Sequence, residues 1–134
     1  MKWFSIDELC RSAKADKLGI KNEPTAQDIE CMQTLIDKVL DPLREAYGRP
    51  IKVNSGFRTK QLNAVLPGSS RTSQHMTGEA ADITVGSKDG NKWLFEYIRD
   101  NLPYDQLIDE YNYSWIHVSL DVDMCNRREI IHKR

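Results

Sequence analysis

Residues 105–120 read DQLIDEYNYSWIHVSL, two runs of alternating apolar and polar side chains that meet at Asn112 and Tyr113. Alternation of period two sends successive side chains to opposite faces of a strand, so the stretch predicts a β-hairpin closed by a very short turn. In the second run Ile116, Val118 and Leu120 share one face, and Trp115, His117 and Ser119 share the other. The apolar face has a core to cover, which leaves His117 projecting from the second face. In the first run Gln106, Ile108 and Glu110 share a face, opposite Leu107, Asp109 and Tyr111.

Upstream of the hairpin the pattern is helical. Ser5 and Glu8 have the spacing of a capping box, predicting a helix that runs to about Gly19. Thr25 caps a longer helix, in which Ile29, Met32, Leu35, Ile36, Val39, Leu40 and Leu43 recur at three- and four-residue steps. Pro42 should kink or restart that helix, and Gly48 should end it. Beyond Pro50 come a short strand in IKVNSG, a short helix opened by Thr59, a loop at 67–78 and a strand in AADITV. A helix in KWLFEYIRDNL, with Trp93, Leu94, Tyr97 and Ile98 on its apolar side, precedes the hairpin. A last strand is expected in REIIHKR. Helices first and antiparallel strands later give an α+β class, in one domain of residues 1–134.

Composition excludes several functions. With 19 basic and 20 acidic residues the net charge is −1, without the basic excess of a nucleic-acid binder. No apolar run approaches the roughly 20 residues of a membrane-spanning helix. The start, MKWFSIDELC, places Asp7 and Glu8 where a signal peptide would continue apolar. The expectation is cytoplasmic synthesis or export by a route not encoded here. Cys10, Cys31 and Cys125 form no CxxC pair, so they are expected as small residues within or beside the core.

The chemistry gathers on two of the three histidines. In AADITV, Ala81, Ile83 and Val85 share one face while Ala80, Asp82 and Thr84 share the other. Asp82 is thus a carboxylate in an otherwise buried strand, among side chains too small to hide it. Such burial costs several kcal/mol unless a cation or donors meet the charge. His75, Asp82 and His117 supply two imidazoles and a carboxylate, a set suited to Zn²⁺ with a fourth position open to water. Spacing alone also fits a loop histidine followed by an unrelated strand aspartate, and the HExxH motif is absent.

From Asn54 to Leu120 the chain resembles the zinc D-Ala-D-Ala peptidases of the M15 family, which include D-alanyl-D-alanine carboxypeptidases, VanX-type dipeptidases and some phage endolysins. The resemblance rests on SGFR at 55–58, SQHMTGEAAD at 73–82, DQLIDE at 105–110 and WIHVS at 115–119, in the family's order. It covers about half the chain, and the N-terminal helices resemble the short single-domain branch more loosely. It implies a Hedgehog/DD-peptidase-like fold, with N-terminal helices on a small, mainly antiparallel sheet carrying one zinc ion. His75, Asp82 and His117 match the zinc ligands. Arg58 matches the arginine that faces the scissile region and holds the oxyanion or terminal carboxylate, and Ser73 matches a substrate-binding serine. Gly78 would turn the backbone between ligand and strand, while Ala80 and Ala81 would leave room around the metal.

The resemblance fails at one position. Many relatives carry a glutamate three residues before the last histidine, where this chain has Ser114. The acids at the end of the preceding strand are Glu110 and Asp109. Alternation and the match of QLIDE to the short branch favour Glu110 as the base. The implied activity is a D-alanyl-D-alanine carboxypeptidase acting on peptidoglycan stem peptides, as a monomer. The alternatives are an L-alanyl-D-glutamate endopeptidase of the endolysin type and a zinc-stabilised wall-binding module without turnover.

Overall fold

The computed structural model describes residues 2–67, 69, 70 and 72–134. The apolar stripe of the central helix is fully buried from Met32 through Leu35, Ile36, Val39 and Leu40 to Leu43. One helical run in three pieces delivers it: α3 (Ala26–Leu35), a π-helical turn (Ile36–Leu40) and α4 (Asp41–Tyr47). The wide turn is the local answer to Pro42. Proline has no N–H for the preceding turn, and its ring presses on that turn's carbonyl. Here the Asp41 N–H reaches back five residues to the Ile36 carbonyl, and the helix continues without a break. At the start of α3, Thr25 and Asp28 close a capping box in both directions.

The N-terminal segment departs from expectation. Instead of one helix to Gly19 it forms α1 (Ile6–Cys10) and α2 (Ala13–Leu18), separated at Arg11, whose backbone is extended. Ser12 is the cause, because its hydroxyl accepts the Ala15 N–H and begins a new helix.

Five strands follow: β1 (Lys52–Ser55), β2 (Ala80–Thr84), β3 (Gln106–Glu110), β4 (Trp115–Ser119) and β5 (Glu129–Lys133). They lie in the order β1-β2-β4-β3-β5, antiparallel except for the parallel pair β3 and β5. One face carries Ala81, Ile83, Leu107, Ile116 and Val118 into the core, against the α3–α4 run and α6 (Lys88–Asn101). The fold class is therefore α+β with a mainly antiparallel sheet. On α6 the core-facing residues are Leu94, Phe95 and Ile98. Trp93 is 38% exposed and stacks on Tyr97, so it flanks the core where burial had been expected.

The β3–β4 turn is longer than the sequence implied. Tyr111 to Ser114 form it, and Tyr111, Asn112 and Tyr113 all have left-handed backbone, with φ of 50°, 58° and 64°. Nothing in an L-residue favours three such positions in a row. The buried side chain of Asn91 holds them, donating to the carbonyls of Tyr113 (2.9 Å) and Ser114 (3.1 Å) while accepting the Val85 N–H (2.9 Å). Of the cysteines, Cys31 is buried and Cys10 half-buried, but Cys125 is exposed on the segment between β4 and β5, away from the core expected for it.

Candidate metal centre and cleft

Strands β2 and β4 are neighbours, and their register sets Asp82 directly opposite His117. Residues paired this way project to the same side of the sheet, and His117 Nδ1 lies 2.9 Å from Asp82 Oδ1. His75 arrives from a different direction. It sits in a 3₁₀ turn (Gln74–Thr77), and the Ser73 hydroxyl caps the turn by accepting the N–H of His75 itself at 3.1 Å. Gly78 ends the turn with φ of 80°, and a Cβ there would lie 2.5 Å from the Asp28 carbonyl oxygen of α3. The expected role for Gly78 thus has two causes, a left-handed backbone and a helix pressed against it.

Two residues of the SGFR motif hold this turn. The His75 ring donates from Nδ1 to the Gly56 carbonyl at 2.7 Å, and the Arg58 N–H donates to the His75 carbonyl at 2.9 Å. Gly56 is itself packed so closely that a Cβ would fall 2.3 Å from the Leu9 carbonyl oxygen. The sequence reading did not single out Gly56, although it stands in the SGFR motif.

With its Nδ1–H on Gly56, His75 presents the Nε2 lone pair to Asp82 Oδ1, 3.4 Å away. Ligand atoms from His75, Asp82 and His117 all lie within 4.8 Å of one another. Burial opposes the Asp82 charge, but the two imidazoles hold its carboxyl well below the usual carboxylate range. Two ring nitrogens and a carboxylate oxygen converging on one point need a proton or a cation between them. The set fits a zinc ion held by three protein ligands, with an orienting carbonyl behind His75 of the kind metal-bound histidines use. Of the two alanines, Ala80 shares this face, whereas Ala81 packs in the core with Ile83.

The ligands open into a cleft of about 660 Å³. Arg58 lines it, with the carboxylates of Asp82 and Glu110 near enough to support a charge that burial opposes. Its Nε and the Trp115 Nε1 are buried donors without a partner among the described residues. The two acids of β3 part company. Glu110 lines the cleft on the His117 side, while Asp109 is fully buried on the opposite face, bound by His132 and by Arg134 at 2.7 Å. Ser73 lines the cleft as well as capping the turn. His132, within the last strand, is the partner of Asp109 and touches Phe95.

A family model described as Peptidase M15 matches residues 2–119, a span that contains every cleft residue just assigned to the metal centre. The chain belongs to the peptidase M15 family. M15 peptidases are zinc-dependent. One relative, the zinc D-Ala-D-Ala carboxypeptidase of Streptomyces albus G, is 46% identical over 50 residues, covering 37% of this chain and 19% of that protein. The matched stretch therefore spans about a fifth of that relative's length.

Proposed function

We propose that residues 1–134 form one domain that acts as a monomeric zinc peptidase on peptidoglycan stem peptides, removing a terminal D-alanine as a D-alanyl-D-alanine carboxypeptidase. The observation that carries the reading is the shared face of the sheet. His117, Asp82 and Glu110 project on one side, and His75 and Arg58 close over them. The resemblance to the Streptomyces carboxypeptidase supports the choice of bond.

His75, Asp82 and His117 would hold a single zinc ion, which supplies Lewis acidity for acidifying water and polarising the peptide carbonyl. Glu110, one strand from His117, takes the proton of the attacking water and returns it to the leaving amine. Arg58 has a donor, unpartnered among the described residues, to offer the oxygen that gains charge. Ser73 accepts from the His75 N–H, which leaves its hydroxyl proton free to donate to the peptide backbone. No group in the chain has to move far, because all of these side chains already line one cleft.

Digestion of purified peptidoglycan by zinc-loaded protein, followed by mass spectrometry, tests the reading. Release of single D-alanine is the expected result. New amino termini at D-glutamate would replace it with an L-alanyl-D-glutamate endopeptidase. An absence of products from protein that binds zinc would leave a wall-binding module. Loss of zinc on His75→Ala, measured by metal analysis, is the companion expectation; retained stoichiometric zinc would overturn the site.

A further inference from the structure

The family match ends at residue 119, but the floor of the cleft continues beyond it. Strand β5 pairs with β3 in parallel, with Glu110 beside Lys133. Paired residues share a face, so Lys133 projects on the cleft side and lines the cleft.

Arg58, Arg127 and Lys133 are the cations lining the cleft among the described residues. Arg58 stands at the metal-ligand end, near Asp82 and Glu110. Arg127 is committed elsewhere, its Nε and Nη2 gripping both oxygens of Asp105 at 2.8–3.3 Å. Lys133 differs from both. Its ammonium makes one ion pair, to Glu110 Oε1 at 3.5 Å, and rests 5.6 Å from the centre of the Tyr111 ring. An ammonium has three donors, so this contact leaves capacity for another acceptor, and the side chain is 52% exposed. A lysine on an edge strand can serve simply to discourage strand pairing. That role requires neither a place in the cleft nor a carboxylate neighbour.

Position defines the ligand. Neighbouring strands are about 4.8 Å apart, so β5 lies about 10 Å from β4, which carries His117. That is the reach of about three residues of extended peptide. In a stem peptide cut between its two terminal D-alanines, the third residue before the cut is the γ-linked D-glutamate. The chain continues through its γ-carboxyl, so its α-carboxyl hangs free as an anion. We propose that Lys133 is a specificity-determining residue that holds this free α-carboxylate, an inference that rests on the peptidase reading above. Glu110 keeps the ammonium in place, and the remaining N–H groups meet the substrate. Stem peptides with that carboxyl amidated lose the charged contact.

The test uses the zinc-loaded protein with Glu110 intact and peptides whose scissile amide is replaced by an uncleavable isostere, so that they bind without being cut. The probes are two pentapeptide stems that differ only in a free or amidated α-carboxyl on the D-glutamate. Calorimetric titration should show the free acid binding about tenfold more tightly, as for one charged hydrogen bond at a part-exposed site. Adding Lys133→Met should bring the ratio close to one, and Lys133→Arg should keep it. Equal affinities for the two peptides, no binding of either, or a ratio that survives Lys133→Met would overturn the assignment. Turnover by the unsubstituted protein is scored separately. Discrimination in binding without zinc-dependent hydrolysis would overturn the peptidase reading and leave the carboxylate contact standing.

Discussion

The Nδ1–H of His75 donates to the carbonyl of Gly56 across 2.7 Å, joining two segments 19 residues apart in the chain. The bond fixes the tautomer that turns Nε2 toward Asp82. Gly56 can occupy its place only because it lacks a Cβ, which would overlap the Leu9 carbonyl oxygen at 2.3 Å.

Gly56→Ala must therefore push β1 away from α1 and carry the His75 acceptor with it. The expected cost is about 2 kcal/mol or more of stability, from backbone displacement against a buried contact. Zinc affinity should fall about 10- to 100-fold, the usual effect of losing a group behind a metal-bound histidine. Thermal unfolding of the zinc-free protein and competition with a chromophoric chelator measure the two effects separately. A variant with unchanged zinc affinity would show that the Gly56 carbonyl is dispensable.

The acids of β3 allow a clean comparison, because adjacent residues face opposite ways. Glu110→Gln should retain zinc and fold normally while losing about 10²- to 10⁴-fold in turnover, the span of a general base. Asp109→Asn should do the reverse. It weakens the contacts to His132 and Arg134 at a fully buried carboxylate and should cost about 2 kcal/mol of stability. Turnover per folded molecule should stay near that of the parent. If Asp109→Asn removed activity from folded, zinc-loaded protein and Glu110→Gln did not, the assignment of the base would be reversed.

Asn91 carries the three left-handed residues of the β3–β4 turn, and so fixes where Glu110 and Trp115 stand. Asn91→Leu has similar bulk but leaves the Val85 N–H and two carbonyls without partners. About 2–4 kcal/mol of stability should be lost, from buried groups left unsatisfied. Urea unfolding gives the stability, and faster amide exchange at Tyr111–Ser114 would localise the effect. Unchanged exchange there would mean that the turn holds itself.

Period-two alternation made the faces of Asp82 and His117 legible, because strand geometry allows only two orientations and a core must claim one. The same rule separated Glu110 from Asp109 before any contact was known. His75 was legible only through its motif, since a 3₁₀ turn has no long periodicity to read. The split at Arg11 was hidden because Ser12 caps as well as Ser5, and both lie within one helical pattern. The left-handed turn was hidden more deeply. Tyr111, Asn112 and Tyr113 include no glycine, and their conformation is imposed by Asn91 from another element. Likewise nothing local to REIIHKR shows that it lies parallel to β3, since the tie is made at Asp105.

That tie predicts the acid response of the C-terminal strand. Asp105 accepts the Arg127 backbone N–H at 2.8 Å and the Nε and Nη2 donors of its guanidinium, and its own carbonyl accepts the Glu129 N–H at 2.9 Å. The Arg127 side chain, opposed by burial, holds the Asp105 carboxyl below its ordinary value. A carboxyl with a depressed folded value contributes stability that is complete above its unfolded value, near 4. The contribution is lost as pH falls through the folded value. Because Arg127 is 58% exposed, solvent screening limits it to about 1 kcal/mol. Between about pH 5 and pH 3, amide protection in β5 should therefore fall before that of β2 and β4. Arg127→Met should flatten this pH dependence and lower protection in β5 at neutral pH. Equal loss of protection in β5 and the central strands would instead place the acid response in the sheet as a whole.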